Sequence, residues 1–235
     1  MDKIFSRTEM LIGSKGMDVL SKSKVAIFGV GGVGSYAAEA LARSGIGHIT
    51  LIDKDVIDKT NINRQIHANI HTIGKPKVIA MRERILSINP YAEVDVYHME
   101  YNNQNSQMLI KTDYDYVIDA IDTISAKIDL VIRCKQMKIP IISSMGAGNK
   151  LDPTAFKVVD IFDTHTDPIA RIMRNALRKH NITDLKVVWS DESPVNKQST
   201  DGRILASIAF VPSVVGLIMA GQAIKDLIDW GVNEI

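Results

Sequence analysis

Short apolar runs alternate with helical patterns through the first two-thirds of the chain. Lys24–Phe28, His48–Ile52, Val94–Tyr97, Tyr116–Asp119 and Ile139–Ser143 read as strands. Between them, Gly34–Ser44, Lys77–Ile88 and Ser125–Met137 read as helices, the second ending before Asn89-Pro90. Such alternation predicts an α/β fold, a Rossmann-like, doubly wound, mostly parallel sheet with helices on both faces. Its ligand belongs beyond the strand C-termini, near Gly29, Asp53 and Asp122.

After Gly146-Ala-Gly148 the rhythm changes. Phe156–Ile161 reads as a strand, Pro168–His180 as a helix and Leu185–Trp189 as a strand, followed by a polar loop from Ser190 to Arg203. The expectation is antiparallel strands added to the sheet in the C-terminal third. Upstream of the first strand, Arg7–Leu20 is patterned as a helix that Gly13 and Gly16 weaken. Ile204–Ile224 carries no charge and is long enough to span a bilayer. It also holds Pro212, Gly216, Gly221, two serines and a glutamine. A strand or loop ending near Phe210, then a buried core or dimer-interface helix with Pro212 in its first turn, accounts for it better than stable membrane insertion.

Composition narrows the classes. The formal net charge of +1 means that any polyanion must be met by a local basic patch. A single cysteine excludes an internal disulfide and a four-cysteine zinc site, so no zinc is expected. The N-terminus shows no apolar signal run, which argues for a cytoplasmic protein.

The chemistry starts at Gly29-Val-Gly-Gly-Val-Gly34. Gly29, Gly31 and Gly34 fit G-x-G-x-x-G between a strand and a helix, where backbone N–H groups, including that of Gly32, approach phosphates. Asp53 ends the next strand and is placed to hold a ribose; Asp55 joins the site or starts the following turn. So far an NAD site would suffice. Arg64, within Asn61-Ile-Asn-Arg-Gln65, and Lys77, opening a helix against its dipole, favour ATP as a reactant, because a departing pyrophosphate needs cations. Asp122 follows the fourth strand and can serve as a Mg²⁺ ligand, as an N-cap, or as both. His67 and His71 have i,i+4 spacing without a thiol or carboxylate beside them, which argues against a metal site.

In order, Arg7, Gly29–Gly34, Asp53, Asn61, Asn63, Arg64, Gln65, Lys77 and Asp122 resemble the MoeB/ThiF family of adenylating enzymes, relatives of ubiquitin activators, over nearly the whole chain. The resemblance implies MgATP and a carboxylate activated as an acyl-adenylate. On that pattern Asn61, Arg64, Gln65 and Lys77 contact phosphates, Asp122 positions Mg²⁺, and Arg7 reaches the triphosphate of the partner in a homodimer. Residues 1–235 then form one adenylating domain, with 1–23 a helical arm and 150–235 an extension on the substrate and dimer side. Two features of the family's carrier-activating members are missing: paired Cys-x-x-Cys zinc ligands and a nucleophilic cysteine. Cys134 lies mid-helix at an apolar position.

Ile139-Pro140, Gly146-Ala-Gly148, Asp152-Pro-Thr154, Asp160-Ile161 and Asp167-Pro-Ile-Ala170 resemble the branch that dehydrates tRNA threonylcarbamoyladenosine, the modified adenosine beside the anticodon. That implies ATP-dependent cyclisation of a tRNA-borne group, where the attacking nitrogen belongs to the substrate and proximity replaces an enzyme thiol. The alternative is adenylation of a small sulfur-carrier protein's C-terminus, and a sulfur-transfer partner is compatible with either. Arg171, Arg174 and Arg178, with Lys179 at the helix end, line one face of Pro168–His180 and are candidates for tRNA phosphates or for a solvated face. The Gly146–Gly148 carbonyls are a further candidate, for a structural monovalent cation.

Overall fold

The computed structural model describes residues 3–195 and 206–230. The strands are β1 (Lys24–Phe28), β2 (His48–Ile52), β3 (Glu93–Tyr97), β4 (Tyr116–Asp119), β5 (Ile141–Ser144), β6 (Lys157–Asp160) and β7 (Lys186–Trp189). They form one sheet in the order β3-β2-β1-β4-β5-β7-β6. Every neighbouring pair is parallel except β6–β7. Of the two late strands, β7 therefore extends the parallel sheet beside β5 and only β6 runs against it.

Helices cover both faces: α1 (Ser6–Lys22), α2 (Gly34–Arg43), α3 (Lys77–Ile88), the single turn α4 (Ser106–Leu109), α5 (Ile124–Gln136), α6 (Pro168–Lys179) and α7 (Phe210–Leu227). The two-residue period of β1 divides its side chains between two cores. Val25 and Ile27 pack with Leu41, Met81 and Val215, whereas Ala26 and Phe28 pack with Leu130, Cys134 and Met173. Both faces are thus sealed, which is why the central strands read as unbroken apolar runs.

Two helices show how local sequence fixes an end. Asp167 caps α6, its Oδ1 accepting from the N–H groups of Ile169 and Ala170 at 2.7 and 3.2 Å, with Pro168 as the first helical residue. In α1 the chain breaks at Gly13, whose φ of 73° is open to glycine but strained for other residues. Within its described part the apolar 204–224 stretch is a loop up to Ala209 followed by α7, with Pro212 in the first turn; Ile204 and Leu205 lie outside the described residues. By length and composition α7 could cross a membrane. Here it packs across the N-terminal end of α2, and a Cβ on Gly216 would stand 2.2 Å from the Val33 carbonyl oxygen. Only glycine permits that approach.

Candidate functional site

The strand order reverses between β1 and β4, so the turn after β1 opens at the switch point where α/β sheets bind ligands. Each glycine there has its own reason. Gly29 sits at φ 88° with Ala120 O 2.5 Å from where a Cβ would be. At Gly34 a Cβ would lie 1.8 Å from the Gly29 carbonyl oxygen. Gly32 is flanked by Pro212 of α7 and the Arg64 stem. A Cβ at Gly31 would meet nothing within 4 Å beyond its chain neighbours. Among the described residues the N–H groups of Gly31, Gly32 and Val33 donate to no backbone or side-chain acceptor. Three free N–H groups in a row at a helix N-terminus make an anion-binding concavity.

Asp53 braces this turn. Its Oδ2 accepts the Val30 N–H at 2.6 Å and its Oδ1 the Asp55 N–H at 2.8 Å. Burial raises its carboxyl above the ordinary value, against the Lys77 charge and the two backbone donors. Asp55 is paired with Lys77: Nζ lies 2.6 Å from Oδ2, with the lysine side chain 7% and the aspartate 50% exposed. The first-turn lysine of α3 is thus a buried cation beside the glycine turn, held by a carboxylate open to solvent.

The loop 58–65 is tightly built. Asn61 is buried in a capping box with Asp58, its Oδ1 accepting the Asp58 N–H at 3.0 Å. Asn63 donates from Nδ2 to Ser207 O at 3.0 Å, which ties the loop to the approach to α7. Arg64 is half-buried and donates from Nη1 to Thr60 O at 2.8 Å and Asn63 Oδ1 at 2.9 Å. Gln65 is 5% exposed and its Oε1 has no partner among the described residues. Asn61 and Asn63 therefore have structural duties that their motif position does not reveal.

At the end of β4, Asp122 is exposed, and its one hydrogen bond among the described residues is from Thr123 Oγ1 at 3.4 Å. It does not cap α5, whose N-cap is Thr123. Beneath it lies a fully buried ion pair absent from the sequence reading. Lys127 Nζ is 2.9 Å from Asp119 Oδ2, with side chains 2% and 0% exposed. Lys127 also donates to Ile121 O at 3.1 Å, Asp119 Oδ1 accepts the Ile121 N–H at 3.2 Å, and Ser143 Oγ donates to Asp119 Oδ2. Both polar groups of Ile121, the residue before Asp122, are therefore held. A lysine on the apolar face of α5 was the available signal.

Other candidates lie further away. Phe5 abuts Gly45, and Leu20 and Ser23 accept from Gly47 and His48 at the start of β2. That puts the N-terminal segment, with exposed Arg7, at the strand N-termini, opposite the glycine turn of its own chain. On α6, Arg178 stacks 5.3 Å from the Phe162 ring centroid and Arg174 donates to Thr164 Oγ1, while Arg171 and Lys179 are exposed. Gly146 donates its N–H to Asp167 Oδ2 at 3.0 Å. The 196–203 part of the polar loop lies outside the described residues; its flanks, Val195 and Ala206, both bond to Asn149. Cys134 is buried, its thiol pushed up to about 12 by burial and by Asp119, as suits a packing residue.

The model of the ThiF family matches residues 5–235. A tRNA threonylcarbamoyladenosine dehydratase of Bacillus subtilis is 50% identical over 239 residues, covering 95% of this chain and 94% of that protein. The solved structure of the Escherichia coli tRNA N6-threonylcarbamoyladenosine dehydratase TcdA in complex with AMP superposes with a TM-score of 0.89 at 38% identity, covering 96% of this chain and 94% of that one. Its complex with ATP gives 0.87 at 36% identity, covering 96% and 93%.

Proposed function

This chain belongs to the ThiF family, and from that premise we infer that it dehydrates tRNA threonylcarbamoyladenosine in an ATP-dependent reaction. The observation that carries the reading is the row of free N–H groups at Gly31–Val33 with the cations of Arg64 and Lys77 at the same sheet edge. In the chemistry proposed, the threonyl carboxylate attacks the α-phosphorus of ATP and the bond to pyrophosphate breaks, leaving an acyl-adenylate. The carbamoyl nitrogen of the same substrate then attacks the acyl carbon. AMP departs with one carboxylate oxygen, the nitrogen loses its proton, and the ring closes with the net loss of water.

The chain's own residues have these roles in that scheme. The Gly31–Val33 N–H groups receive phosphate oxygens, and Asp53 keeps the turn in shape while offering its remaining lone pairs to the ribose. Asp55 neutralises the buried Lys77 ammonium until phosphates replace it, and Arg64 covers the departing pyrophosphate. Asp122 fits Mg²⁺: its carboxylate is exposed and almost unengaged, and the described residues contain no group of three metal-ligating side chains. One carboxylate completed by phosphate oxygens and water is the usual Mg²⁺ arrangement. When bound, the ion would offset charge on the phosphates. Arg7 acts across a two-fold dimer, a role supported by its position opposite its own glycine turn. Arg171, Arg174, Arg178 and Lys179 follow tRNA phosphates. A reaction of ATP with tRNA suits a cytoplasmic protein.

The test measures AMP formation from ATP with three partners: tRNA bearing the threonylcarbamoyl group, a sulfur-carrier protein, and neither. AMP and cyclised nucleoside only with modified tRNA are expected. Turnover with the carrier alone would replace this reading. Lys77→Ala and Arg64→Ala should each fold and lose about 10²-fold or more in adenylation rate.

A further inference from the structure

His67 lies two residues past the Arg64-Gln65 motif, 3% exposed, on the inner side of the glycine turn. Its Nε2 is 2.8 Å from the Val30 carbonyl oxygen. A carbonyl can only accept, so Nε2 carries the proton and Nδ1 is a bare acceptor. That Nδ1 is buried and has no partner among the described residues. No group of three metal-ligating side chains accompanies it there. A space-filling role would be met by leucine or methionine without leaving a buried nitrogen unpaired. What the imidazole supplies at this spot is a neutral N–H donor.

The partner of that donor shows what it does. A trans peptide points its C=O and N–H in opposite directions. The carbonyl that His67 holds belongs to the Val30–Gly31 peptide, whose other end is the Gly31 N–H. With the carbonyl drawn inward, the Gly31 N–H is turned the opposite way, and it donates to no acceptor among the described residues. The preceding peptide is held as well, since the Val30 N–H donates to Asp53 Oδ2 at 2.6 Å. Val30 is thus fixed on both sides by side chains from other parts of the chain. We propose that His67 is a positioning residue that holds the Val30–Gly31 peptide with the Gly31 N–H aimed at a nucleotide phosphate.

The proposal rests on the nucleotide reading above, and the test keeps the two apart. Binding of ATP and of adenosine is measured by calorimetry for the wild type, His67→Leu and His67→Gln. Leucine fills the volume and removes the donor; the glutamine amide restores one at a similar reach. If the wild type binds no ATP, the nucleotide reading itself is wrong. If it does, His67→Leu should bind ATP at least about 10-fold more weakly. Adenosine, which has no phosphate, should bind His67→Leu within about twofold of the wild type, and His67→Gln should recover most of the ATP affinity. Equal weakening for ATP and adenosine would make His67 a scaffold residue and overturn the proposal, as would unchanged ATP affinity. Should the leucine variant not fold, the Gly31 amide resonance of the wild type decides. It must shift with ATP and stay in place with adenosine, and a Gly31 amide indifferent to ATP is incompatible with the proposal.

Discussion

Replacing Lys127 by methionine tests the buried pair beneath Asp122. The substitution keeps most of the side-chain volume and removes the ammonium from a site with 2% exposure. Asp119 would remain wholly buried, with its opposite charge at 2.9 Å gone and only the Ile121 N–H and Ser143 hydroxyl as donors. Removing one partner of such a pair costs about 3–5 kcal/mol, because the desolvated charge left behind has no counter-charge. For a chain of this size each kcal/mol lowers Tm by roughly 2–4 °C, so Lys127→Met should melt about 6–20 °C below the wild type. The double variant Asp119→Asn/Lys127→Met is the control. Its amide oxygen still accepts the Ile121 N–H, the serine hydroxyl can turn to accept, and no charge is stranded. It should recover at least half of the lost Tm in differential scanning calorimetry. The recovered protein lacks the donor to Ile121 O, so on the role proposed for Asp122 its ATP-dependent reaction should need more Mg²⁺. A single variant melting with the wild type, or a double variant no better than the single, would refute the assignment of a desolvated ion pair.

Other outcomes follow from particular contacts. Mixed dimers of Arg7→Ala and Lys77→Ala subunits should regain activity that neither homodimer has, and verified hybrids that stay inactive would place Arg7 outside the partner's site. Cys134→Ser should leave cyclisation intact apart from a modest packing loss, whereas a folded inactive variant or a thioester trapped on Cys134 would point to carrier chemistry. Reversing Arg174 and Arg178 to glutamate should weaken tRNA binding and flatten its salt dependence while leaving ATP affinity unchanged; unaltered tRNA affinity across a salt series would make α6 a scaffold. Burial, helped by the Lys77 and Arg84 charges, holds His67 at about 4. The unfolded chain, near 6.5, therefore takes up that proton first, so the contribution is intact above about 6.5 and lost as pH falls towards 4. Acid unfolding of His67→Gln should lack this part of the pH dependence, and identical pH profiles for the two proteins would contradict it.

The backbone-level features were legible because they repeat. Apolar runs of four or five residues between amphipathic stretches gave five parallel strands within about two residues, and the G-x-G-x-x-G turn located the ligand edge. Long-range pairing was harder to read. β7 sits between β5 and β6, a placement decided by strand pairing at a distance in sequence, so the late strands looked alike although one is parallel and the other is not. Gly216 carried no local sign of its role, because the atoms it must avoid belong to Val33 and Ala37 on another helix. At the candidate site, motif position singled out Asp53 and Lys77, whereas it did not point to Lys127 or to the role proposed for His67. Their meaning comes from backbone carbonyls in the Val30 and Ile121 turns, and no spacing rule encodes which carbonyl a buried donor meets.

Those two turns share a construction. On one, the Val30 N–H goes to Asp53 and its C=O to His67; on the other, the Ile121 N–H goes to Asp119 and its C=O to Lys127. In each case side chains, three buried and Asp53 half-buried, engage both polar groups of the residue just before a proposed contact, Gly31 or Asp122. A buried ion pair and an imidazole with a bare nitrogen are poor ways to gain stability, since an apolar core of the same shape does as well or better. They are effective ways to fix a dipole's direction. A turn left to water would have to reorganise as negative charge moves from the carboxylate to the leaving pyrophosphate. A turn already oriented by its own interior has little reorganisation left to do when the charge arrives, and this is where most of the rate advantage of a preorganised site originates.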